Sequence, residues 1–515
     1  MEPEPNRLAP DAPATPASMA SAASTPTAPA AEADALESPR LAERIIDAVK
    51  TVLTALVLAF IFRAFLVEAF VIPTGSMAEG LVGAHLTHVC RSCGWEFDLG
   101  VARGTARGLA LPGEALCPNC HRRDPIDAGH AAIRDGDRLL VHKWPFALGG
   151  VFAPQRWDVI VFRDPADPQQ NYIKRLVGLP GETVEILAGD VFINGRIATK
   201  TPAAQSALWI VVYDQSHAPA PTPWGDAGPW SPDESESAPG WRDLDTRVIR
   251  FDAADDAART LRFNRYGASL YETDTSGYNQ GPSSGQNRDL RLRADVSLGG
   301  GPGGVRFDLL RPERRFSLEL DTHGRLALRS APSDAGESRV LAEMSVARTA
   351  PFEFAIEFGH VDYRVYVRVN DREIFATTPD LYAPPLEALR SGGVDAPTGV
   401  AIVARGAAIE LRHLRIDRDV YYTFTPRATL RAYAGSPFTL GSDEYFVLGD
   451  NSPASHDSRE WYQRGPHMPS GYRAGTVRAD QIVGRAFFVY LPGLNPLDGA
   501  GRWRLPDLGR VRFVR

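Results

Sequence analysis

The sequence predicts a mainly β protein with one apolar N-terminal helix, a cysteine-rich insertion and a large inserted β-sandwich. Three observations predict this organisation: a predominantly apolar stretch at 45–72, two CxxC pairs, and many short segments at 247–420 that alternate apolar and polar residues. Alternation at a period of two is typical of strands with one buried face. With 515 residues, 44% of them hydrophobic, the chain is long enough for several domains with their own cores.

The overall charge argues against nucleic acid as a partner. The formal net charge is −7, and no stripe rich in Lys and Arg outweighs the acidic residues. Contact with a membrane would therefore depend on apolar side chains.

The N-terminal region divides into a polar tail and an apolar helix. Residues 1–40 consist mainly of Ala, Pro, Ser, Thr and Glu, which predicts a disordered tail. Residues 41–70 are predicted to form a single uncleaved transmembrane helix, which reaches the required length of about 20 residues if Arg63 snorkels. Arg44 and Lys50 precede its most apolar part, so the N-terminus is expected inside and the bulk of the chain outside. A cleaved signal peptide fits less well, because no small-x-small site follows.

A shaped polar turn follows this helix directly. The stretch from Phe70 to Met77 reads FVIPTGSM, in which Pro73 fixes φ and Gly75 is expected to free it. The turn would present Thr74 and Ser76 side by side as candidates for chemistry. The alternative interpretation is a plain polar turn that ends a membrane anchor.

The four cysteines form two CxxC pairs, and these predict a zinc ribbon over 90–125. The pairs are Cys90 with Cys93 and Cys117 with Cys120. Four thiolates at this spacing suit one tetrahedral Zn²⁺ in a structural site. Two disulfides remain an alternative, since an extracytoplasmic location would permit them.

Short strands are predicted next, and one of them carries a lysine in apolar company. In the stretch 171–182, alternation places Tyr172, Lys174 and Leu176 on one face of a strand. Such a lysine usually lies at the edge of a sheet and extends its charged amine to solvent. The functional alternative is a buried lysine whose pKa is lowered by burial.

The central part of the chain has a different residue pattern. Residues 201–245 are interpreted as a linker-like entry, and the alternating segments that follow predict an antiparallel β-sandwich within 205–420. The pattern is similar to the jelly-roll, lectin-like modules of bacterial surface proteins, which would imply a glycan or another surface ligand. No catalytic constellation is found there.

After residue 420 the chain again consists of short strands separated by polar turns, as it does before residue 201. A strand leads into the dense polar turn 449–459, and a closing strand follows at 482–490. The many hydroxyls and carboxylates of this loop are candidates for a functional site. The alternative is a plain turn whose side chains hydrogen-bond to the loop's own backbone. Residues 493–515 are interpreted as a C-terminal tail.

Together these blocks resemble the bacterial type I signal peptidases, membrane-anchored serine proteases with a Ser-Lys dyad. The blocks that carry the resemblance are 70–77, 136–143, 158–162, 172–182, 449–459 and 482–487. The family fold implies an all-β catalytic core split into 71–89, 126–204 and 421–492, with the ribbon and the sandwich as insertions. It also implies a single-pass protein of the bacterial cytoplasmic membrane, with its catalytic domain on the extracytoplasmic side.

The resemblance implies specific roles for the matching residues. Ser76 is the expected nucleophile, Lys174 the general base, Thr74 an oxyanion-hole hydroxyl and Ser455 the hydroxyl that orients the lysine. Asp457 and Arg459 would brace the loop. The residues expected to line two shallow apolar pockets for an Ala-x-Ala motif are Phe70, Ile72, Met77, Leu81, Tyr172 and Ile173.

The resemblance also implies that catalysis needs no cofactor, so zinc would be structural only. The expected partners are preproteins that carry a signal peptide, together with the lipid bilayer. The sequence departs from the family after the nucleophile, where Glu79 stands in place of the usual Pro. Neither insertion is expected to touch the dyad, so deletion of residues 205–418 is expected to leave cleavage largely intact.

Two alternative functions fit the sequence less well. A self-cleaving Ser-Lys protease of the repressor type is disfavoured by the apolar helix and the lack of a DNA-binding module. A surface adhesin on an inactive protease scaffold is disfavoured because Ser76, Lys174, Thr74 and Ser455 are all retained.

Overall fold

The structure is a computed structural model that divides into two units. It describes residues 41–61, 65–103, 109–110, 113–127, 133–219, 229–233, 240–252, 255–263, 277–278, 286–333, 336–346, 353–392, 398–423, 431–496 and 504–515. The units are Met1–Phe60 and Ile61–Arg515. The predicted tail 1–40 and residues 62–64 of the predicted anchor lie outside the described residues.

Helix α1 (Leu41–Ile61) occupies the first unit. Its apolar side chains are exposed, with Leu53 at 61% and Phe60 at 71%. Among the residues described, no helix combines the length and the apolar character that crossing a bilayer requires.

The second unit is mainly β, as predicted, and begins with strand β1 (Val67–Val71). The cysteine-rich segment then contributes three short antiparallel hairpins. Their strands are β2 (His85–Val89), β3 (Glu96–Gly100), β4 (Ala102–Arg103), β5 (Leu109–Ala110), β6 (Glu114–Leu116) and β7 (Arg123–Pro125).

The next region builds most of the two sheets around the site. Its elements are β8 (Arg138–His142), α2 (Trp144–Leu148), β9 (Val159–Arg163), β10 (Asn171–Gly178), β11 (Thr183–Leu187), β12 (Asp190–Ile193), β13 (Arg196–Ile197) and α3 (Pro202–Leu208). Thr201 caps α3 by accepting a hydrogen bond from the Ala204 N–H.

The inserted sandwich follows. Its first strands are β14 (Ile210–Asp214), β15 (Trp230–Pro232), β16 (Trp241–Arg242), β17 (Val248–Phe251), β18 (Arg259–Phe263), β19 (Leu290–Leu298) and β20 (Gly304–Leu310). The remaining elements are β21 (Arg314–Asp321), β22 (Arg325–Pro332), β23 (Arg339–Ser345), β24 (Glu353–Val361), β25 (Arg364–Val369), β26 (Arg372–Ala376), α4 (Leu386–Arg390), β27 (Gly399–Arg405) and β28 (Ile409–Arg418).

The C-terminal region supplies the last strands of the chain. Its strands are β29 (Phe438–Thr439), β30 (Glu444–Leu448), β31 (Val477–Arg478), β32 (Ile482–Leu491), β33 (Leu494–Pro496), β34 (Arg504–Pro506) and β35 (Arg512–Phe513).

Four sheets of four or more strands organise the described part of this unit. The first sheet runs β1-β8-β32-β9-β10-β30-β31, with β35 paired to β32, and a smaller sheet runs β13-β12-β11-β29. The sandwich has one sheet in the order β16-β17-β28-β19-β24-β25-β26, with β14 paired to β28, and another in the order β15-β18-β27-β20-β21-β22-β23. Strand alternation explains this packing: β19 buries every second residue from Leu290 to Leu298.

The chain enters and leaves the sandwich at neighbouring points. Ile210 on β14 pairs with Arg418 on β28, so the two ends of the module lie side by side. This is the geometry expected of an inserted domain.

Two sequence interpretations need correction. The linker-like segment 201–245 contains α3 and β14, and Leu208 and Tyr213 are buried in it. The high Pro and Ser content of this segment concealed the few apolar residues that pack into the core. The predicted C-terminal tail contains β35, which pairs with β32 and so belongs to the same sheet as β1 and β10.

Candidate active site

Ser76 and Lys174 meet in the second unit, although nearly a hundred residues separate them along the chain. The Ser76 Oγ lies 2.6 Å from the Lys174 Nζ, and both residues are buried, at 7% and 4% exposure. The Lys174 Nζ also lies 3.2 Å from the Ile173 carbonyl oxygen. A hydroxyl and an amine at this distance can exchange a proton directly.

Main-chain hydrogen bonds hold the turn that carries Ser76. After β1, the Ile72 N–H donates to the Asp137 carbonyl at 2.9 Å. Asn451 holds the turn from the polar loop: its N–H donates to the Ser76 carbonyl at 3.1 Å, and its side-chain Nδ2 donates to the Gly75 carbonyl at 2.7 Å. The polar loop therefore positions the serine as well as supplying side chains around it.

Strand β10 brings Lys174 to the same point. Lys174 pairs with Ile160 on β9, and its Nζ lies 5.7 Å from the centroid of the Tyr172 ring. Burial lowers the pKa of Lys174 to about 8, partly opposed by the carboxylates of Asp457 and Asp450. A lysine with this pKa is substantially neutral at mildly alkaline pH and can then accept a proton.

The polar loop is held by a buried ion pair. The Arg459 Nη2 donates to the Asp457 Oδ2 at 2.8 Å, and the same oxygen accepts from the Gly449 N–H at 3.0 Å and the Ser455 Oγ at 2.8 Å. Although burial alone would raise the pKa of Asp457, the Arg459 guanidinium lowers it. The polar groups of the loop therefore hydrogen-bond to one another, which agrees both with a plain polar turn and with a loop that supports an active site.

Ser455 and Thr74 occupy different positions relative to the dyad. The Ser455 hydroxyl donates to Asp457, and among the described residues no hydrogen bond joins it to Lys174. It lies beside Gly449, where an added Cβ would come within 2.2 Å of the Ser455 Oγ and 2.5 Å of the Ser76 carbonyl oxygen. Thr74 is exposed, two residues before Ser76.

Most of the predicted pocket residues pack into one apolar cluster. Ile72, Met77 and Leu81 are buried in it, and Phe70 and Ile173 pack against it. Tyr172 instead packs with Phe162, Leu176 and Trp461 in a different cluster. Neighbouring residues on a strand point to opposite faces, which explains why Tyr172 and Ile173 separate.

Sequence reasoning assigned no role to a second buried ion pair beside the dyad. Arg175 donates to both oxygens of Asp450, from Nε and from Nη2, at 2.7 Å each. The contact with Asp450 joins β10 to the polar loop, and Arg175 also donates to the Trp157 carbonyl, just before β9, at 2.7 Å. Its position next to Lys174, in an otherwise apolar strand, was the available signal, because a buried arginine requires a carboxylate partner.

The role of Gly75 needs correction, and the sandwich insertion reaches the turn to which Gly75 belongs. Gly75 is not among the glycines with a positive φ, so freedom of φ does not explain it. Tyr278, which belongs to the sandwich insertion, lies against it: a Cβ on Gly75 would come within 1.9 Å of the Tyr278 Cε1. The insertion therefore contacts the turn that carries Ser76, at Gly75. That neither insertion touches Ser76 or Lys174 themselves stays a prediction. The sequence could not reveal this approach, since the two residues are distant in the chain.

The cysteines gather as the spacing predicted. All four sulfurs lie within 4.8 Å of one another, and the cysteines are free rather than disulfide-bonded. The Sγ–Sγ distances are 3.5 Å for Cys90 to Cys120 and 3.6 Å for Cys93 to Cys117. Zn–S bonds of about 2.3 Å in a tetrahedron place sulfurs roughly 3.8 Å apart, so this donor set fits zinc.

Comparisons with known proteins point to one family. Residues 121–211 and 414–491 match the family model described as signal peptidase, peptidase S26. A protein named signal peptidase I from Pseudomonas fluorescens is 30% identical over 177 residues, or 34% of this chain and 47% of the relative. A protein of the same name from Pseudomonas aeruginosa is 31% identical over 153 residues, or 29% of this chain and 38% of the relative. The chain thus spans less than half the length of these relatives.

Solved structures similar to this chain include several β-sandwich proteins. The carbohydrate-binding module CBM66 from Bacillus subtilis is 11% identical and covers 37% of this chain and 95% of its own, with a TM-score of 0.23. The galectin LEC-6 from Caenorhabditis elegans is 16% identical and covers 26% of this chain and 87% of its own, with a TM-score of 0.18. At these scores the likeness says nothing about a ligand.

Proposed function

We propose that this chain is a type I signal peptidase with a Ser-Lys dyad, since residues 121–211 and 414–491 match the signal peptidase family model. The observation that carries the proposal is the 2.6 Å contact between the Ser76 Oγ and the Lys174 Nζ. Ser-Lys pairs are an accepted variant of serine protease chemistry and need no histidine.

Lys174 acts as the general base in the proposed reaction. Its neutral amine takes the proton of Ser76 while the Oγ bonds to the carbonyl carbon of the scissile peptide. The C–N bond then breaks, and the Lys174 ammonium returns the proton to the leaving amine. In the second half, Lys174 takes a proton from water, the hydroxide displaces the serine from the ester, and the proton returns to the Ser76 Oγ.

The remaining candidate residues have supporting roles. The Ser76 N–H and the Thr74 hydroxyl would donate to the oxyanion, a contribution typically worth about 2.7–4 kcal/mol per donor. Asp457 and Arg459 would hold the polar loop, with Ser455 fixed between Asp457 and Gly449. Ser455 then orients the site through packing rather than by a direct bond to Lys174.

The proposed substrates are preproteins with small side chains at the first and third positions before the cut. The apolar cluster around Ile72 and Leu81 supports this, since it lies beside the nucleophile. We propose that the anchor lies in α1 (Leu41–Ile61), whose apolar side chains are exposed, with the catalytic unit on the extracytoplasmic side. The predicted anchor 41–70 is too long at its C-terminal end, because residues 67–70 belong to β1. Anchoring would raise the effective concentration of substrates at the bilayer.

Cleavage of a preprotein tests the proposal. The full chain in detergent micelles is expected to cut a preprotein after its small-x-small motif, and Ser76→Ala is expected to reduce the rate to background. Thr74→Ala should retain a reduced rate. A parent enzyme with no cleavage, or a Ser76→Ala variant with full activity, would contradict the proposed function.

We also propose that the four cysteines hold one structural Zn²⁺. Cys90, Cys93, Cys117 and Cys120 would fill its coordination sphere, so the metal contributes folding energy and supplies no chemistry to the dyad. Metal analysis of the purified protein is expected to find about one zinc per chain, and chelation should lower its melting temperature. Cys90→Ser is expected to lower zinc content and melting temperature together. Protein without zinc and with four oxidised cysteines would favour disulfides.

A further inference from the structure

We propose that Tyr278, a residue of the sandwich insertion, is a positioning residue for the nucleophile Ser76. The inference deepens the proposed function and rests on it. It concerns how one side chain holds the nucleophile turn, defined here as residues 75–84.

Contacts join Tyr278 to several points of the nucleophile turn. Tyr278 is 9% exposed and packs with Ala78 and Val82 in a small apolar cluster. Its hydroxyl donates to the Ala84 carbonyl at 3.2 Å, and the preceding Gly277 N–H donates to the Glu79 Oε1 at 3.2 Å. Burial raises the pKa of Tyr278 to about 12, so its phenol keeps its proton and donates throughout the working pH range.

The cysteine-rich segment fixes the same residue from another side. The Gly100 N–H at the end of β3 donates to the Tyr278 carbonyl at 3.1 Å. A Cβ on Gly100 would lie 2.5 Å from the Tyr278 Cε1, and a Cβ on Gly277 would lie 2.6 Å from the Phe97 Cδ2. Tyr278 is therefore held between the ribbon and the nucleophile turn.

Space explains the glycine next to the nucleophile. A Cβ on Gly75 would lie 1.9 Å from the Tyr278 Cε1 and 2.6 Å from its Cζ, closer than atoms can approach. Gly75 is not among the glycines with a positive φ, so a left-handed backbone is not what calls for glycine at this position. The obstacle to a side chain at position 75 is thus the Tyr278 ring.

The nucleophile turn is held from two directions. Asn451 binds the Gly75 and Ser76 carbonyl oxygens from the polar loop, and Tyr278 packs on Gly75 and Ala78 from the insertion. Loss of the ring would open a cavity under the turn and let Ser76 shift from Lys174. A displacement of about 1 Å at a reacting atom can cost roughly 100-fold in rate.

The decisive experiment compares two buried tyrosines of the insertion in the full chain. Tyr278→Ala is expected to lower kcat by about 10- to 100-fold with a smaller change in KM, and Tyr278→Phe is expected to stay near the parent rate because the ring remains. Tyr366→Ala is the matched control: Tyr366 is 4% exposed and packs against Gly359, within the sandwich sheet. It should retain the parent kcat per folded molecule.

A double mutant tests the contact itself. Gly75→Ala is expected to be nearly inactive because its Cβ meets the Tyr278 ring. Gly75→Ala combined with Tyr278→Ala should regain activity over Gly75→Ala alone, a non-additive result expected only of residues in contact. A double mutant that is as inactive as Gly75→Ala would overturn the inference.

Hydrogen exchange separates this inference from the proposed function. Amide protection in residues 75–84 is expected to fall in Tyr278→Ala and to remain unchanged in Tyr366→Ala, whether or not the protein cleaves anything. The pH dependence of kcat should also be unchanged, since Lys174 keeps its surroundings. An active parent with full kcat and full protection in Tyr278→Ala would overturn the inference, while a parent that cuts no preprotein would overturn the proposed function alone.

Discussion

Lys174→Met is expected to abolish preprotein cleavage while leaving the melting temperature at pH 7 equal to that of the parent or higher. Methionine keeps the apolar stem and removes the amine, which is 4% exposed in the folded protein. Burial lowers the pKa of Lys174 to about 8, against about 10.4 in an unfolded chain, and this difference is equivalent to about 3 kcal/mol. Below pH 8 the charged lysine carries that penalty in full, and the variant does not.

The sign of the pH dependence follows from the same shift. Between pH 8 and about 10.4 the unfolded chain binds more protons than the folded one, so the stability of the parent should rise with pH there. Lys174→Met should lose this rise. The parent kcat should climb along one limb and level off above about pH 8, with no dependence on histidine.

Thermal melts at pH 7 and pH 9 measure the effect on stability, and a pH-rate profile measures the effect on cleavage. Ser76→Ala provides the control, because it removes activity and keeps the lysine with its pH-dependent stability. If Lys174→Met melted well below the parent, Lys174 would be a paired structural charge and the dyad assignment would fail.

Arg459→Met is expected to lower the free energy of unfolding by about 3–5 kcal/mol and to reduce cleavage strongly. The substitution leaves the Asp457 carboxylate buried, at 0% exposure, without its guanidinium partner. Asp457 accepts hydrogen bonds from Gly449 and Ser455, so the disturbance reaches the loop that supports the nucleophile turn. Denaturant unfolding and the cleavage assay at pH 7 measure the two effects.

An exposed ion pair of the sandwich provides the matched control. Arg325 and Glu343 lie 2.9 Å apart with side chains 58% and 42% exposed, so Arg325→Met should cost less than about 1 kcal/mol and leave cleavage unchanged. Equal costs for the two arginine variants would show that the buried pair is not what holds the polar loop.

Strand alternation allowed the sequence to predict much of this architecture. It placed Lys174 on the face of β10 that carries Leu176, and it indicated an antiparallel sandwich whose strands bury alternate residues. The spacing of the two CxxC pairs likewise anticipated that the four cysteines would gather, because each pair holds its two sulfurs close together and two such pairs suit one metal ion. These are local patterns, in which each residue constrains its near neighbours.

Local patterns failed where short segments with many turn residues pack against distant parts of the chain. Residues 201–245 read as a linker, yet Leu208 is buried in one core and Tyr213 in another. Residues 493–515 read as a tail, yet Arg512 donates to the Asp137 Oδ2 at 2.8 Å, beneath the nucleophile turn. Such contacts depend on which surfaces meet in the fold, and composition does not encode that.

The sequence by itself determined the mainly β class and the cysteine set, because each depends on residue type and short-range spacing, while the roles of Ser76 and Lys174 came from the family resemblance. Only the tertiary structure decided that the Ser76 Oγ lies 2.6 Å from the Lys174 Nζ, that Arg175 pairs with Asp450, and that Tyr278 lies against Gly75. The physical reason is that burial and distance set the pKa of a lysine and the space beside a glycine. Both are properties of the packed chain, in which residues far apart in sequence become neighbours.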